Sequence, residues 1–180
     1  PKREVAWQIL ALHTEKAHNL KDKSLEVIRI FRNLLEDSAS KAEKDWLPER
    51  WAQVIDVLYE DYGLQPVLVG GRSERELAAE RIIMAKAHHP PLSALGSGLR
   101  RLVSIFDGSP LVLAPDTGPL HIAVALQRPV ISLMGYTNPK RTGPYRAYHD
   151  LLIDAYGNPG EDYPISMENR PGRMPNITVD

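Results

Sequence analysis

At 180 residues, with 43% hydrophobic and 25% charged side chains, the chain has the makeup of an ordinary globular protein, large enough for one well-cored domain plus extra elements. A net charge of -1 gives no electrostatic support for nucleic-acid binding, and the absence of cysteine excludes disulfides and thiolate metal sites. No apolar run approaches the roughly 20 residues that a membrane-spanning helix needs, and no signal peptide is visible.

In chain order, residues 3–20 read as an amphipathic helix, with Val5, Ile9 and Leu12 at helical spacing. Residues 24–36 read as a second, with Ser24 as N-cap and Leu25, Ile28, Phe31 and Leu35 along one face. Leu34-Leu35 can instead open a short strand that feeds a loop over 36–45. Pro48 suits the first turn of a helix that Trp51, Ile55, Leu58 and Tyr62 carry to about Tyr62, and Gly63 can take positive φ as its cap. Residues 66–69 predict a strand ended by Gly70-Gly71. Ser73 and Glu76 form a capping box for a helix running to about Lys86, with Leu77, Ile82 and Ile83 inward. A proline-rich loop covers 88–92, and residues 95–97 are marginal as a strand. Leu99, Leu102, Val103 and Phe106 mark another helix, stopped by Asp107-Gly108.

The stretch 111–135 organises the rest. Leu111-Val112-Leu113-Ala114 is apolar without alternation, as in a parallel strand covered on both faces. Asp116-Thr117-Gly118 is a turn, and Pro119 fits the first helical position. A short apolar helix follows over 120–126, ended by Gln127-Arg128-Pro129. The next strand covers 130–134 and is closed by Gly135. A polar loop over 136–149 leads to a strand at 151–155, and 157–176 is too rich in Pro, Gly and charge for regular structure. Strands alternating with helices from about 35 to 155 predict a doubly wound parallel α/β sheet with ligands at the carboxyl ends of its strands. The chain opens at Pro1 without a methionine and closes on Ile177-Thr178-Val179-Asp180, which looks like the start of another element, so it reads as a fragment.

The turn at Asp116 puts backbone N–H groups and the positive end of a helix dipole at one point, the chemistry that binds phosphate. Gly118 permits close approach of a ligand, and Thr117 offers a hydroxyl and an N–H. Asp116 can accept from ligand hydroxyls or cap the helix, and His121 can face a ligand or simply pack. Gly70-Gly71 with Glu74 make a second strand-to-helix turn, where a carboxylate can hold a ribose diol or only favour the helix N-terminus. Ser40 and Lys44 lie in the loop before Trp46, where they can hold a diphosphate or merely be solvated. The basic loop over 138–146 can meet an anionic substrate or be plain surface. His88-His89 is not a metal pattern, since sequence neighbours rarely face one ion. One Asp-Thr-Gly triplet in an α/β pattern excludes an aspartic protease, which pairs two carboxylates in an all-β fold.

Together these motifs resemble glycosyltransferase family 9, the ADP-heptose:lipopolysaccharide heptosyltransferases. Three regions carry the likeness: Lys44-Asp45-Trp46-Leu47-Pro48-Glu49-Arg50-Trp51, Val67-Leu68-Val69-Gly70-Gly71, and Asp116-Thr117-Gly118-Pro119-Leu120-His121 through Leu126 with Pro129 and Gly135. The resemblance implies a Rossmann-like parallel sheet that is the C-terminal, donor-binding half of a GT-B fold. It divides the chain into two extra N-terminal helices (1–34, an interdomain remnant), a nucleotide-sugar-binding domain (35–156) and an irregular tail (157–180). It also implies that Asp116, Thr117 and Gly118 hold the sugar and diphosphate with His121 beside their turn, that Ser40 and Lys44 reach the phosphates, that Glu74 meets the ribose, and that Gly70, Gly71 and Pro119 also belong to the donor site. The expected donor is ADP-heptose or a similar nucleotide-sugar, used with inversion and without metal or cofactor, and the expected acceptor is a lipopolysaccharide core. The catalytic base stays unassigned, because in the family the N-terminal Rossmann domain supplies it together with the acceptor site. No nucleic-acid partner is expected, and the location implied is cytoplasmic or peripheral to the inner face of the plasma membrane. Glu36-Asp37-Ser38 departs from the family, which carries a His-Pro-Gly-like turn there. Two other functions fit the same residues: a non-catalytic nucleotide-sugar-binding module, and a GT-B-type nucleotide-sugar epimerase.

Overall fold

The computed structural model describes residues 42–144 and 146–179, which fall into two compact units. One is built on Trp46–Leu102, the other on Val103–Ile177 with the segment that ends at Asp45. The expected N-terminal helices, the strand near Leu34 and the hydroxyl of Ser40 lie outside the described residues.

In the first unit, helix α1 (Pro48–Glu60) starts on Pro48, whose missing N–H costs nothing in the first turn. Its end uses Gly63 at φ +62°, with Gly63 N–H bonded to Tyr59 O at 3.1 Å and Leu64 N–H to Leu58 O at 3.0 Å. That pair of bonds satisfies carbonyls the last turn would leave open. Trp46 is buried and meets Trp51 edge-on, with ring centroids 5.0 Å apart. Helix α2 (Glu74–Lys86) opens on the capping box of Ser73 and Glu76. It packs on α1 around Ala52, Ile55, Ile83 and Ala87. Ile82, expected inward, is 37% exposed, because Ile83 takes the face toward α1. Strand β1 (Val67–Leu68) pairs in parallel with β2 (Leu92–Ser93). The second strand thus falls at Leu92, ahead of the expected 95–97. Main-chain bonds from Leu92 N–H to Pro66 O, Ala94 N–H to Leu68 O and Gly96 N–H to Gly70 O, at 2.9–3.0 Å, fix the register.

A carboxylate ties the loop after α2 back to α1. Asp56 accepts from His89 N–H at 2.9 Å and lies 3.7 Å from His88 Nδ1, while His89 Nε2 meets Glu60 Oε1 at 3.1 Å and its ring stacks on Tyr59 at 4.3 Å. Burial raises the Asp56 pKa, but the backbone N–H groups of His89 and His88 outweigh it and hold the group below its usual range. Asp56→Ala should therefore destabilise this unit by about 1–2 kcal/mol, the worth of hydrogen bonds to a charged acceptor. Urea unfolding near neutral pH checks this, and a stability equal to the parent's would show that the His89 contacts with Tyr59 and Glu60 hold the loop without Asp56.

Helix α3 (Leu99–Asp107) leads into the second unit. There β3 (Val112–Pro115), β4 (Val130–Met134) and β5 (Leu152–Asp154) form a parallel sheet in that order, with Pro115 opposite Leu133 and Met134 opposite Asp154. The described strands therefore make two parallel sheets, one per unit, where a single sheet is expected. Prolines 66, 90 and 91 flank β1 and β2 and leave each only two residues long. Between β3 and β4 lies α4 (Gly118–Ala125), packed on both strands with Leu120, Ile122 and Ala123 buried. Gln127, at φ 55°, ends it in place of the usual glycine.

The expected loop over 136–149 is partly helical. Asn138 caps α5 (Pro139–Thr142) by accepting from Lys140 N–H at 3.0 Å, and a 3-10 helix covers Arg146–Leu151. The tail carries little regular structure yet packs tightly. Tyr156, Tyr163, Met174 and Ile177 are buried, and Arg170 lies 4.5 Å from the Tyr156 ring centroid while bonding both Glu161 oxygens at 2.8 and 3.1 Å. No helix among the described residues is long and apolar enough to cross a membrane.

Candidate functional site

Because β3 and β4 are parallel neighbours, the turns leaving their carboxyl ends lie side by side. The turn after β3 carries Asp116, and the segment after β4 carries Thr137 and α5. Asp116 Oδ2 accepts from Thr137 Oγ1, from Lys44 Nζ at 3.0 Å and from Thr142 Oγ1 at 3.4 Å. Lys44 comes from a single 3-10 turn (Ala42–Lys44) and also reaches the Asp116 main-chain oxygen at 3.1 Å. Oδ1 faces His121 Nε2 at 3.7 Å. The Asp116 side chain is 7% exposed, that of Lys44 16% and that of His121 36%, so the carboxylate lies at the bottom and the imidazole at the rim.

Burial works to raise the Asp116 pKa. The His121 and Thr137 side chains and the Lys44 ammonium work against it and win, so the group titrates at about 2. At neutral pH Asp116 is an anion and an acceptor of hydrogen bonds. So weak a base has little driving force to take a proton in catalysis. Thr117 is the N-cap of α4 without a side-chain cap bond, and its hydroxyl donates to Pro115 O at 3.3 Å. Gly118 and Pro119 form the first turn of α4; Pro119 has no N–H, and Leu120 N–H donates to Thr117 O at 3.1 Å.

The residues expected at the ribose belong to the other unit. Glu74 opens α2 exposed to solvent. The Gly70-Gly71 turn is filled from within. Glu76 folds back so that Oε1 accepts from Gly71 N–H at 2.6 Å, and Oε2 accepts from Ser73 N–H at 2.9 Å and Ser73 Oγ at 2.6 Å. A Cβ on Gly71 would stand 2.7 Å from Glu76 Oε2, so this glycine already has a packing reason. In the basic loop, Lys140 is bonded to Asp162 Oδ1 and Tyr163 O, each at 2.7 Å, and so is spent on the tail. Among the described residues no group of three or more His, Asp or Glu is placed to hold a metal ion.

Motif reading passed over Thr137, and it took Thr142 only as part of the basic loop over 138–146. Their signal is topological: they follow the strand next to β3, so they border whatever follows β3.

The family model for glycosyltransferase family 9 (heptosyltransferase) matches residues 4–162. The chain belongs to glycosyltransferase family 9. Within the family, it is 32% identical to the lipopolysaccharide core heptosyltransferase OpsX of Haemophilus influenzae over 173 residues, which are 91% of this chain and 48% of that protein. It thus spans about half the length of this curated relative. Two solved structures share the fold. A family 9 glycosyl transferase from Veillonella parvula matches with TM-score 0.55 and 29% identity over 63% of this chain and 32% of its own. The Escherichia coli heptosyltransferase WaaC with ADP matches with TM-score 0.54 and 25% identity over 61% of this chain and 33% of its own.

Proposed function

We propose that this chain is the donor-binding half of an inverting GT-B glycosyltransferase, which takes heptose from ADP-heptose or a similar nucleotide-sugar and passes it to a lipopolysaccharide core in the cytoplasm. The observation that carries the reading is the ionised Asp116, held by Lys44 and two threonine hydroxyls beside the N-terminus of α4. Such a site offers an acceptor for sugar hydroxyls next to positive charge for a diphosphate. In the transfer, an acceptor oxygen attacks the anomeric carbon, the bond from that carbon to the diphosphate oxygen breaks, and the acceptor's proton passes to a base. Negative charge grows on the departing nucleotide, and in this reading the Lys44 ammonium stabilises it. The reading assigns the base and the acceptor site to the half of the enzyme that this chain does not span.

Calorimetric and NMR titration with ADP, GDP, UDP and ADP-heptose tests it. ADP and its sugar should bind, weakly because half the cleft is missing, with shifts centred on residues 116–121. Lys44→Ala should weaken ADP binding roughly 10- to 100-fold, the loss of one charge-assisted phosphate contact. Absence of binding by any nucleotide, or shifts that miss residues 116–121, would sink the donor-site reading.

A further inference from the structure

We infer that Thr137 is a positioning residue of this site, held by a strap of the tail over residues 164–170, and that it fixes the Asp116 carboxylate with Oδ1 toward His121. The inference takes its meaning in ligand binding from the donor-site reading, but it stands on geometry of its own. Thr137 is 5% exposed, and its hydroxyl donates to Asp116 Oδ2. Lys44 and Thr142 donate to that same oxygen, at 3.0 and 3.4 Å. Oδ2 is thereby filled, while Oδ1 keeps acceptor capacity on the side where His121 stands. Without a fixed donor on Oδ2 the carboxylate is free to turn about its terminal torsion, which is broad and roughly two-fold.

What fixes the donor is the tail. Thr137 and Asn169 form an antiparallel bridge, and Arg170 N–H donates to Tyr136 O at 2.8 Å. On the other side, the fully buried Asn138 donates from Nδ2 to Pro164 O at 2.8 Å. The strap is itself anchored by Arg170, which grips Glu161 and Tyr156. Residues 164–170 lie beyond residue 162, where the family match ends, and their partners Tyr136, Asn138, Tyr156 and Glu161 lie within it. Threonine suits the role because β-branching restricts χ1 and keeps the hydroxyl aimed.

The test is the titration of the Asp116 carboxyl carbon, followed by NMR in the whole chain alongside an ADP-heptose titration. Thr137→Val keeps the shape and removes the hydroxyl. It should raise the proton affinity of Asp116 about tenfold, one pKa unit, and weaken ADP-heptose several-fold. Thr137→Ser should restore both. A folded Thr137→Val protein in which Asp116 titrates as in the parent would overturn the positioning role, whatever the nucleotide does. If the parent binds no nucleotide-sugar while the titration still moves, the positioning role stands and the donor reading falls. Should the valine variant not fold, the parent carries the test: a Thr137 hydroxyl proton protected from exchange is expected, and a freely exchanging one overturns the inference.

Discussion

Asp116→Asn will be less stable than the parent at neutral pH by on the order of 2 kcal/mol, and the difference will shrink as the pH falls from about 4 toward 2. The folded chain holds this carboxyl at about 2 against an ordinary 3.8. A depressed pKa means that the unfolded chain takes up the proton first. The contribution is therefore complete above the ordinary value and disappears as the pH drops through the folded one. The amide cannot ionise, so it removes both the contribution and its acid sensitivity. It also leaves the Lys44 ammonium, only 16% exposed, with neutral acceptors at this residue in place of an anion. Urea unfolding across pH 2–7 measures the effect. An equal difference at both ends of that range would show that shape, and not charge, is what the carboxylate contributes.

Gly135→Ala should cost about 1–3 kcal/mol, the range for forcing atoms into a filled site. The melting temperature should fall by roughly 2–4 °C for each kcal/mol in a chain of this size. An added Cβ would stand 2.9 Å from both Met174 N and Met174 Sδ and 3.0 Å from Arg173 C. The thioether can swing aside, but the main chain of Arg173 and Met174 cannot yield without unseating Met174 and Ile177, both 2% exposed. The expected signature is loss of protection in the tail together with the lower melting temperature. An unchanged melting temperature would mean that β4 and the tail do not approach as closely as described.

Local chemistry made some of this structure readable in advance. The capping box at Ser73 and Glu76, the positive φ of Gly63 and the turn from Asp116 to Pro119 each depend on residues within a few positions of one another, and each was expected. What escaped depends on partners far along the chain. Strand β2 falls at Leu92 because of its pairing with β1, not because of its own composition. The four-residue α5 is too short to show a period and stands on the Asn138 cap and on Lys140 bonds to the tail. At Gly70-Gly71 the contact is short-range: the Glu76 carboxylate, five positions along from Gly71, sits against the turn. At the site, Asp116 and Lys44 were both expected to matter, and the structure pairs them. Thr137 could be found only once β4 was known to lie beside β3.

The Lys44–Asp116 contact bridges 72 positions of sequence, and the whole Trp46–Leu102 unit lies within that span. Closing a loop of this length costs about 4 kcal/mol of chain entropy before either partner gains anything. The sheet around Asp116 has nearer partners in sequence and can assemble first, whereas the lysine is 72 positions away along the chain. The Lys44–Asp116 contact is therefore expected to form late in folding. Substitutions at Lys44 should accelerate unfolding while leaving the refolding rate nearly untouched.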